Sequence, residues 1–259
     1  HHIVANTHPQ PEKVERELQR NCPDRVGLAF SREKTLLGTG GGLRRARAFF
    51  DDLASPVLVM NGDTLFAPDL EAAVAAHLAA DAVATMILRR TPDPARFGSI
   101  GIDEAGRVRS LLGVPATPVA EELMFTGVHI FSPEAFDAMP EEGCVIRTAY
   151  RGWVDHGATI LGVVDESSWA DLGTISEYHR VNLALASGSF PWPGVTPRDG
   201  SIIAKDLEPS RRFEQCVIGS GVRFAKGVSL RRCVVWPGAC VDRSAQNVIF
   251  ADGRMVTFS

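Results

Sequence analysis

Lysine is nearly missing from this sequence, cysteine and tyrosine are scarce, and long hydrophobic runs are absent. Of 27 basic residues only Lys13, Lys34, Lys205 and Lys226 are lysine. None lies between Lys34 and Lys205, so the middle of the chain offers no lysine for catalysis. Cys22, Cys144, Cys216, Cys233 and Cys240 are odd in number and scattered, with no C-x-x-C pair and no histidine at zinc spacing. That argues against a zinc ribbon or a disulfide framework and suits small buried thiols in a reducing, cytoplasmic setting. No apolar stretch approaches the ~20 residues of a membrane span, so no membrane partner is expected. An excess of one charge is missing too. The 27 basic and 31 acidic residues leave −4, with a pI near 6.0, which argues against a nucleic-acid partner. There is no initiator methionine, and Ile3-Val4-Ala5 reads at once as a buried strand. The expectation is an N-terminally incomplete domain, and no signal-peptide layout follows.

What is present suits one large domain with an appendage: 259 residues, 45% of them hydrophobic and 22% charged. Short apolar runs alternate with helical stretches. Strands are expected at 3–5, 26–30, 57–60, 82–88, 125–131 and 158–164, with a hairpin over 97–108. Helices are expected at 11–18, 43–50, 69–78, 134–139, 145–156 and 176–186. This rhythm predicts an α/β fold, a Rossmann-like, mostly parallel sheet with helices on both faces. Pro191, Pro193, Gly194, Pro197 and Gly200 then punctuate a linker. Beyond it Val222, Val228, Val234 and Cys240 recur every six residues, as do Ile218, Phe224, Leu230 and Trp236, and small residues at 221, 227, 233, 239 and 245. A six-residue period predicts a short left-handed parallel β-helix of hexapeptide repeats. The expected organisation is a domain over 1–190, a linker over 191–215 and the β-helix over 216–259. The valine column should point inward. The column ending at Trp236 should bury against the first domain or a second subunit, giving a homo-oligomer.

Four segments carry candidate chemistry. The first is Leu37-Gly38-Thr39-Gly40-Gly41-Gly42-Leu43, read as a loop leading into a helix, where glycines admit a ligand to the backbone and a helix start offers free N–H groups. It lacks the Walker lysine, and its third G-x-G-x-x-G position is Leu43. Arg44 and Arg45 then fall in a first helical turn, where the macrodipole disfavours cations. The second is Asn61-Gly62-Asp63 after the strand 57–60, at the strand end where open α/β sheets bind ligands. A carboxylate there suits Mg²⁺, although Asn-Gly-Asp is also ordinary turn chemistry. The third is Trp169-Ala170-Asp171-Leu172-Gly173-Thr174, in which Thr174 suits a helix N-cap and Asp171 a second metal ligand. The fourth is Phe125-Thr126-Gly127, whose in-strand glycine signals close approach of a ligand or another backbone. The histidines show no metal-ligand spacing.

In this order, with Val4-Ala5-Asn6-Thr7-His8 and Phe97-Gly98, these motifs resemble the sugar-1-phosphate nucleotidyltransferases, the NDP-sugar pyrophosphorylases, over residues 3–187. The overall look is similar to mannose-1-phosphate guanylyltransferase-like proteins. The resemblance implies transfer of a nucleotidyl group from an NTP to a sugar 1-phosphate, with pyrophosphate leaving. It implies that Asp63 and Asp171 are catalytic and hold Mg²⁺, and that Leu37, Gly38, Thr39, Gly40, Gly41, Asn61 and Gly62 meet the nucleotide. Glu122, Thr126, Gly127 and Thr174 would line the sugar-phosphate side. The family's Gly-rich phosphate loop and its lysine, and a Glu-Lys-Pro motif, have no counterpart here. Other readings are a non-catalytic regulatory or assembly subunit, a pyrophosphorylase using UTP or dTTP rather than GTP, and a dinucleotide-dependent oxidoreductase.

Overall fold

A computed structural model describes residues 2–50, 54–208, 212–251 and 253–258. Strand β1 (His2–Thr7), helix α1 (Pro11–Asn21) and strand β2 (Gly27–Arg32) form a β–α–β unit, with β1 and β2 paired in parallel from His2/Gly27 to Thr7/Arg32. Glu15 ties α1 to β2, its carboxylate gripped by Arg32 at 2.6 and 2.8 Å. Next come α2 (Gly38–Ala46), β3 (Val57–Met60), β4 (Thr64–Phe66), α3 (Leu70–Ala79) and β5 (Ala84–Arg89). Asp69 caps α3, accepting the Ala72 N–H at 2.9 Å. The hairpin β6 (Ser99–Ile102) and β7 (Val108–Leu111) precedes the long strand β8 (Glu121–Phe131), helix α4 (Arg151–Asp155) and β9 (Ile160–Val164).

The main sheet runs β7-β6-β8-β5-β9, with β3 paired to the end of β8. It is mixed, which corrects the mostly parallel expectation. Pair β5–β9 is parallel, but β8 lies antiparallel to β3, β5 and β6. A strand such as 123–131, buried along nearly its whole length, shows no alternation and carries no direction. Its core is built from Met86, Leu88, Ile100, Phe131, Phe136, Tyr150 and Ile160. The α3 helix is pinned by buried His77, whose ring nitrogens meet Thr85 Oγ1 at 2.8 Å and Ser132 Oγ at 3.1 Å. Burial lowers its pKa, which keeps the ring neutral between two hydroxyls. The helix expected over 145–156 is a π turn over Ile146–Tyr150 running into α4.

One further strand and a helix follow: β10 (Trp169–Asp171) and α5 (Ile175–Ser187). Strand β10 pairs antiparallel with β4. The C-terminal part carries β11 (Ile202–Ile203), β12 (Phe213–Glu214), β13 (Val217–Ile218), β14 (Arg223–Phe224), β15 (Leu230–Val235), β16 (Cys240–Val241), β17 (Ala245–Ala251) and β18 (Arg254–Thr257). Strands β11, β13, β15 and β17 stack in parallel, as do β14 and β16, and β18 closes the stack antiparallel to β17. The partners Ile202/Val217, Val217/Val234 and Val234/Ile249 set rungs 15 or 17 residues apart, and the stacking starts at Ile202, inside the expected linker. The valine column is buried at 222, 228 and 234, but Cys240 is exposed. Ile218, Phe224 and Leu230 pack inside the stack instead of facing outward.

The chain divides into two compact units that do not follow the expected boundary. Residues 1–61 and 69–165 form one; residues 62–68 and 166–259 form the other. Helix α5 and the β4/β10 ribbon therefore belong with the parallel stack.

Candidate active site

Asp63 and Asp171 are 108 positions apart in sequence, and the β4/β10 ribbon brings them together. Thr64 faces Asp171 across the ribbon, and the Leu172 N–H donates to the Asp63 carbonyl oxygen at 2.8 Å. Facing residues of an antiparallel pair stand side by side, so the carboxylates flank one turn. Asp171 Oδ1 accepts the Gly173 N–H at 2.7 Å. A Cβ built on Gly173 would lie 2.9 Å from Asp171 Oδ1 and 3.6 Å from Asp63 Oδ2, so these oxygens are no farther apart than those two distances laid end to end. Asp63 is exposed and Asp171 half-buried. The two carboxylates lie near each other, and Asp171 ends its own three-residue strand rather than following 158–164. Among the described residues no third Asp, Glu, His or Cys completes a protein-only metal cluster.

Thr174 caps α5, its Oγ1 accepting the Glu177 N–H at 3.1 Å, and Gly188 ends the helix at φ 77°. Its hydroxyl acceptor is thus committed to the helix.

The segment 37–43 is not a loop before a helix. Helix α2 starts at Gly38 and contains the glycines, so Arg44 and Arg45 occupy its last turn, where the macrodipole favours them. Gly40 and Gly41 pack closely against residues 140–143. Gly40 N–H donates to the Gly143 carbonyl at 2.8 Å, Gly143 N–H to the Leu37 carbonyl at 2.7 Å, and Val145 N–H to Thr39 Oγ1 at 3.0 Å. A Cβ on Gly40 would stand 2.5 Å from Pro140 Cγ, and one on Gly41 would run into the Glu141 carbonyl oxygen. Gly40 and Gly41 are buried; Gly38 and Thr39 remain exposed and Leu37 half-buried.

In β8 the register slips between Met86/His129 and Leu88/Phe125, a bulge around Thr126–Gly127. Thr126 Oγ1 is buried and donates to the Ile87 carbonyl at 2.7 Å, which fixes the bulge. Gly127 adopts φ 88°, and Asn61 closes on it: the Asn61 N–H meets the Gly127 carbonyl at 3.0 Å, and a Cβ on Gly127 would stand 2.8 Å from Asn61 Nδ2. Asn61 and Gly62 are exposed, with open space beside Gly62. Glu122 is exposed and accepts the Ser99 hydroxyl at 3.1 Å. Behind the bulge, His129 Nδ1 lies 2.8 Å from Tyr150 Oη, and burial pushes the imidazole pKa down to about 3. Sequence reading missed Gly173 and the Asn61–Gly127 contact. The signal available was the pair of three-residue runs 64–66 and 169–171, too short to show a period.

A family described as Nucleotidyl transferase matches residues 1–188. The mannose-1-phosphate guanylyltransferase of Mycobacterium tuberculosis is 28% identical over 249 residues, covering 93% of this chain and 68% of that protein. The UTP–glucose-1-phosphate uridylyltransferase of Synechocystis is 26% identical over 281 residues, covering 98% and 72%. The crystal structure of HddC from Yersinia pseudotuberculosis superposes with a TM-score of 0.55 at 20% identity, over 69% of this chain and 76% of that one.

Proposed function

The chain belongs to the nucleotidyl transferase family, and from that premise we propose that it transfers a nucleotidyl group from an NTP to a sugar 1-phosphate. An oxygen of the sugar phosphate forms a bond to the α-phosphorus, the bridging bond to the β-phosphate breaks, and pyrophosphate leaves. GTP and mannose 1-phosphate are the first substrates to expect, from the guanylyltransferase relative that aligns along 93% of the chain. UTP with glucose 1-phosphate is the second reading, supported by the uridylyltransferase relative. The observation that carries the reading is the ribbon that sets Asp63 and Asp171 around Gly173.

That donor set fits Mg²⁺. Two hard carboxylates without a third side-chain ligand suit an ion that keeps waters and takes substrate phosphates as its remaining ligands. Asp63 and Asp171 would hold the ion, which would supply charge neutralisation to the substrate phosphates. The chain's own residues do the positioning. The Asp171–Gly173 turn aims one carboxylate, and the Leu172 N–H to Asp63 carbonyl bond fixes the other strand beside it. The exposed start of α2, Gly38 and Thr39 with Leu37, and Asn61 with Gly62 are the proposed nucleotide contacts. Gly40 and Gly41 support that edge by packing on 140–143. Glu122 and Gly127 are the proposed sugar-phosphate contacts, with Thr126 shaping the bulge and Thr174 the turn after Asp171.

The C-terminal stack is proposed to be the hexapeptide coil, and to join copies of the chain. Strand β18 is its edge, with Met255 and Val256 exposed. The free thiols suit a cytoplasmic setting. A grid of NTPs against sugar 1-phosphates, read by pyrophosphate release, tests the reaction and names the pair. No release from any pair would overturn it.

A further inference from the structure

Thr174 caps α5 just beyond the Asp171–Gly173 turn, so whatever seats α5 also sets the path of that turn. The seat is polar as well as apolar. His179 is 6% exposed and directs Nε2 at the Arg232 carbonyl oxygen, 2.9 Å away. A carbonyl only accepts, so Nε2 carries the proton. The imidazole lies flat on the Phe258 ring, with centroids 4.4 Å apart and planes 12° from parallel. One position earlier, Tyr178 meets Trp236 edge-on at 6.3 Å.

The acceptor is itself fixed. Arg232 takes a left-handed φ of 52°, and so do Gln215 and Asn247 on the neighbouring rungs. The Arg232 Nε donates to Asn247 Oδ1 at 2.9 Å and its Nη1 to Gln215 Oε1 at 3.4 Å, a polar ladder across three rungs. The Phe258 N–H donates to the Asn247 carbonyl at 2.9 Å, which ties the stacking ring to the same ladder. A buried imidazole that lost this partner would leave two polar groups unpaired.

We infer that His179 is a positioning residue. Its hydrogen bond to Arg232 and its stack on Phe258 latch α5 to the parallel stack, and the latch holds the Asp171–Gly173 turn that aims the carboxylates. The consequence for metal binding rests on the proposed role of Asp63 and Asp171; the consequence for the turn does not.

Two readouts on the full chain separate these. Amide hydrogen exchange at Leu172 and Gly173, whose N–H groups meet the Asp63 carbonyl and Asp171 Oδ1, reports the turn without metal. Titration with Mn²⁺ alone, followed by electron paramagnetic resonance, reports the carboxylates. His179→Ala should speed both amides about tenfold and weaken Mn²⁺ about threefold to tenfold, whereas His179→Gln, which keeps a donor for the Arg232 carbonyl, stays within about twofold of wild type. Phe258→Ala should fall between them, and with His179→Gln it carries the comparison if His179→Ala does not fold. Wild-type exchange in folded His179→Ala, or in Phe258→Ala where His179→Ala does not fold, overturns the latch. So does a His179→Gln variant as impaired as the alanine. If wild type binds Mn²⁺ no better than Asp63→Asn, the metal reading falls, and amide exchange still decides the latch.

Discussion

Gly173→Ala tests the shared carboxylate turn with a single methyl group. Gly173 is absent from the positions with positive φ, so alanine meets no backbone strain there. Its Cβ would nevertheless stand 2.9 Å from Asp171 Oδ1, inside the 3.4 Å at which ordinary contact begins, and 3.6 Å from Asp63 Oδ2. The Asp171 carboxylate has to swing by about half an ångström, and the 2.7 Å bond from the Gly173 N–H is lost or bent. A misplacement of 1 Å at reacting groups costs about 10²-fold, so kcat/KM should fall about tenfold to a hundredfold, ~1.4–2.7 kcal/mol of transition-state stabilisation. Stability should hardly move. Removing a glycine from the unfolded ensemble stabilises by ~0.4–1 kcal/mol, and loss of one exposed hydrogen bond offsets about as much. Pyrophosphate release measured across a Mg²⁺ titration, beside a thermal melt, reads both. A folded Gly173→Ala enzyme with wild-type kcat/KM and wild-type Mg²⁺ half-saturation would refute the shared-turn argument.

Asp171→Asn should keep the Gly173 N–H bond through its amide oxygen yet lower kcat by about 10²–10³-fold, measured with saturating Mg²⁺. Gly41→Ala should lower the urea midpoint by the equivalent of ~1–3 kcal/mol, because its methyl collides with the Glu141 backbone rather than with a side chain that can move. His129 gives a pH signature. Its native pKa of about 3 lies below the ordinary 6.5, so between those values the unfolded chain binds the extra proton and stability falls as pH drops from 6.5 toward 3. His129→Gln, which retains a polar partner for Tyr150, should flatten that limb by up to ~1.4 kcal/mol per pH unit in urea melts run from pH 7 to 4.

The α/β alternation, the start of α3 and both ends of α5 were legible because they rest on local chemistry. Asp69 and Thr174 cap their helices, and Gly188 ends α5 in the left-handed region. The direction of β8 was not legible, since burial on both faces erases alternation and leaves only length. Helix α2 was misread because glycine opposes helix formation by ~1 kcal/mol per residue, and only the segment 140–143, a hundred positions on, makes small residues necessary there. Asp63 and Asp171 were visible as a pair by their order among the motifs. The ribbon that joins them was not, for three-residue strands are specified by their partner rather than by themselves. In the parallel stack the rungs are 15 or 17 residues apart, and Cys240 is exposed while Ile218 and Leu230 are buried, a pattern the six-residue spacing of the sequence did not give.

Glycine-rich stretches show where sequence evidence for a ligand ends. The glycines at 40 and 41 look like a nucleotide loop, yet the atoms a Cβ would meet there belong to Pro140, Glu141 and Gly143, so the chain itself fills the space. Gly127 looks like a point where a ligand or another backbone approaches, and the approaching group is Asn61, by its backbone N–H and its side chain. Gly173 carries no such signature, and its missing Cβ leaves room close to two carboxylates; beside Gly62 the space is open. What separates the cases is the neighbour that a side chain would displace. Where that neighbour is backbone, the glycine serves packing and its substitution should appear in stability. Where the neighbours are acceptor oxygens facing solvent, the glycine serves the site, and its substitution should appear in catalysis with the fold intact. Gly41→Ala and Gly173→Ala therefore form a matched pair, and opposite phenotypes from the same added methyl would separate the two roles.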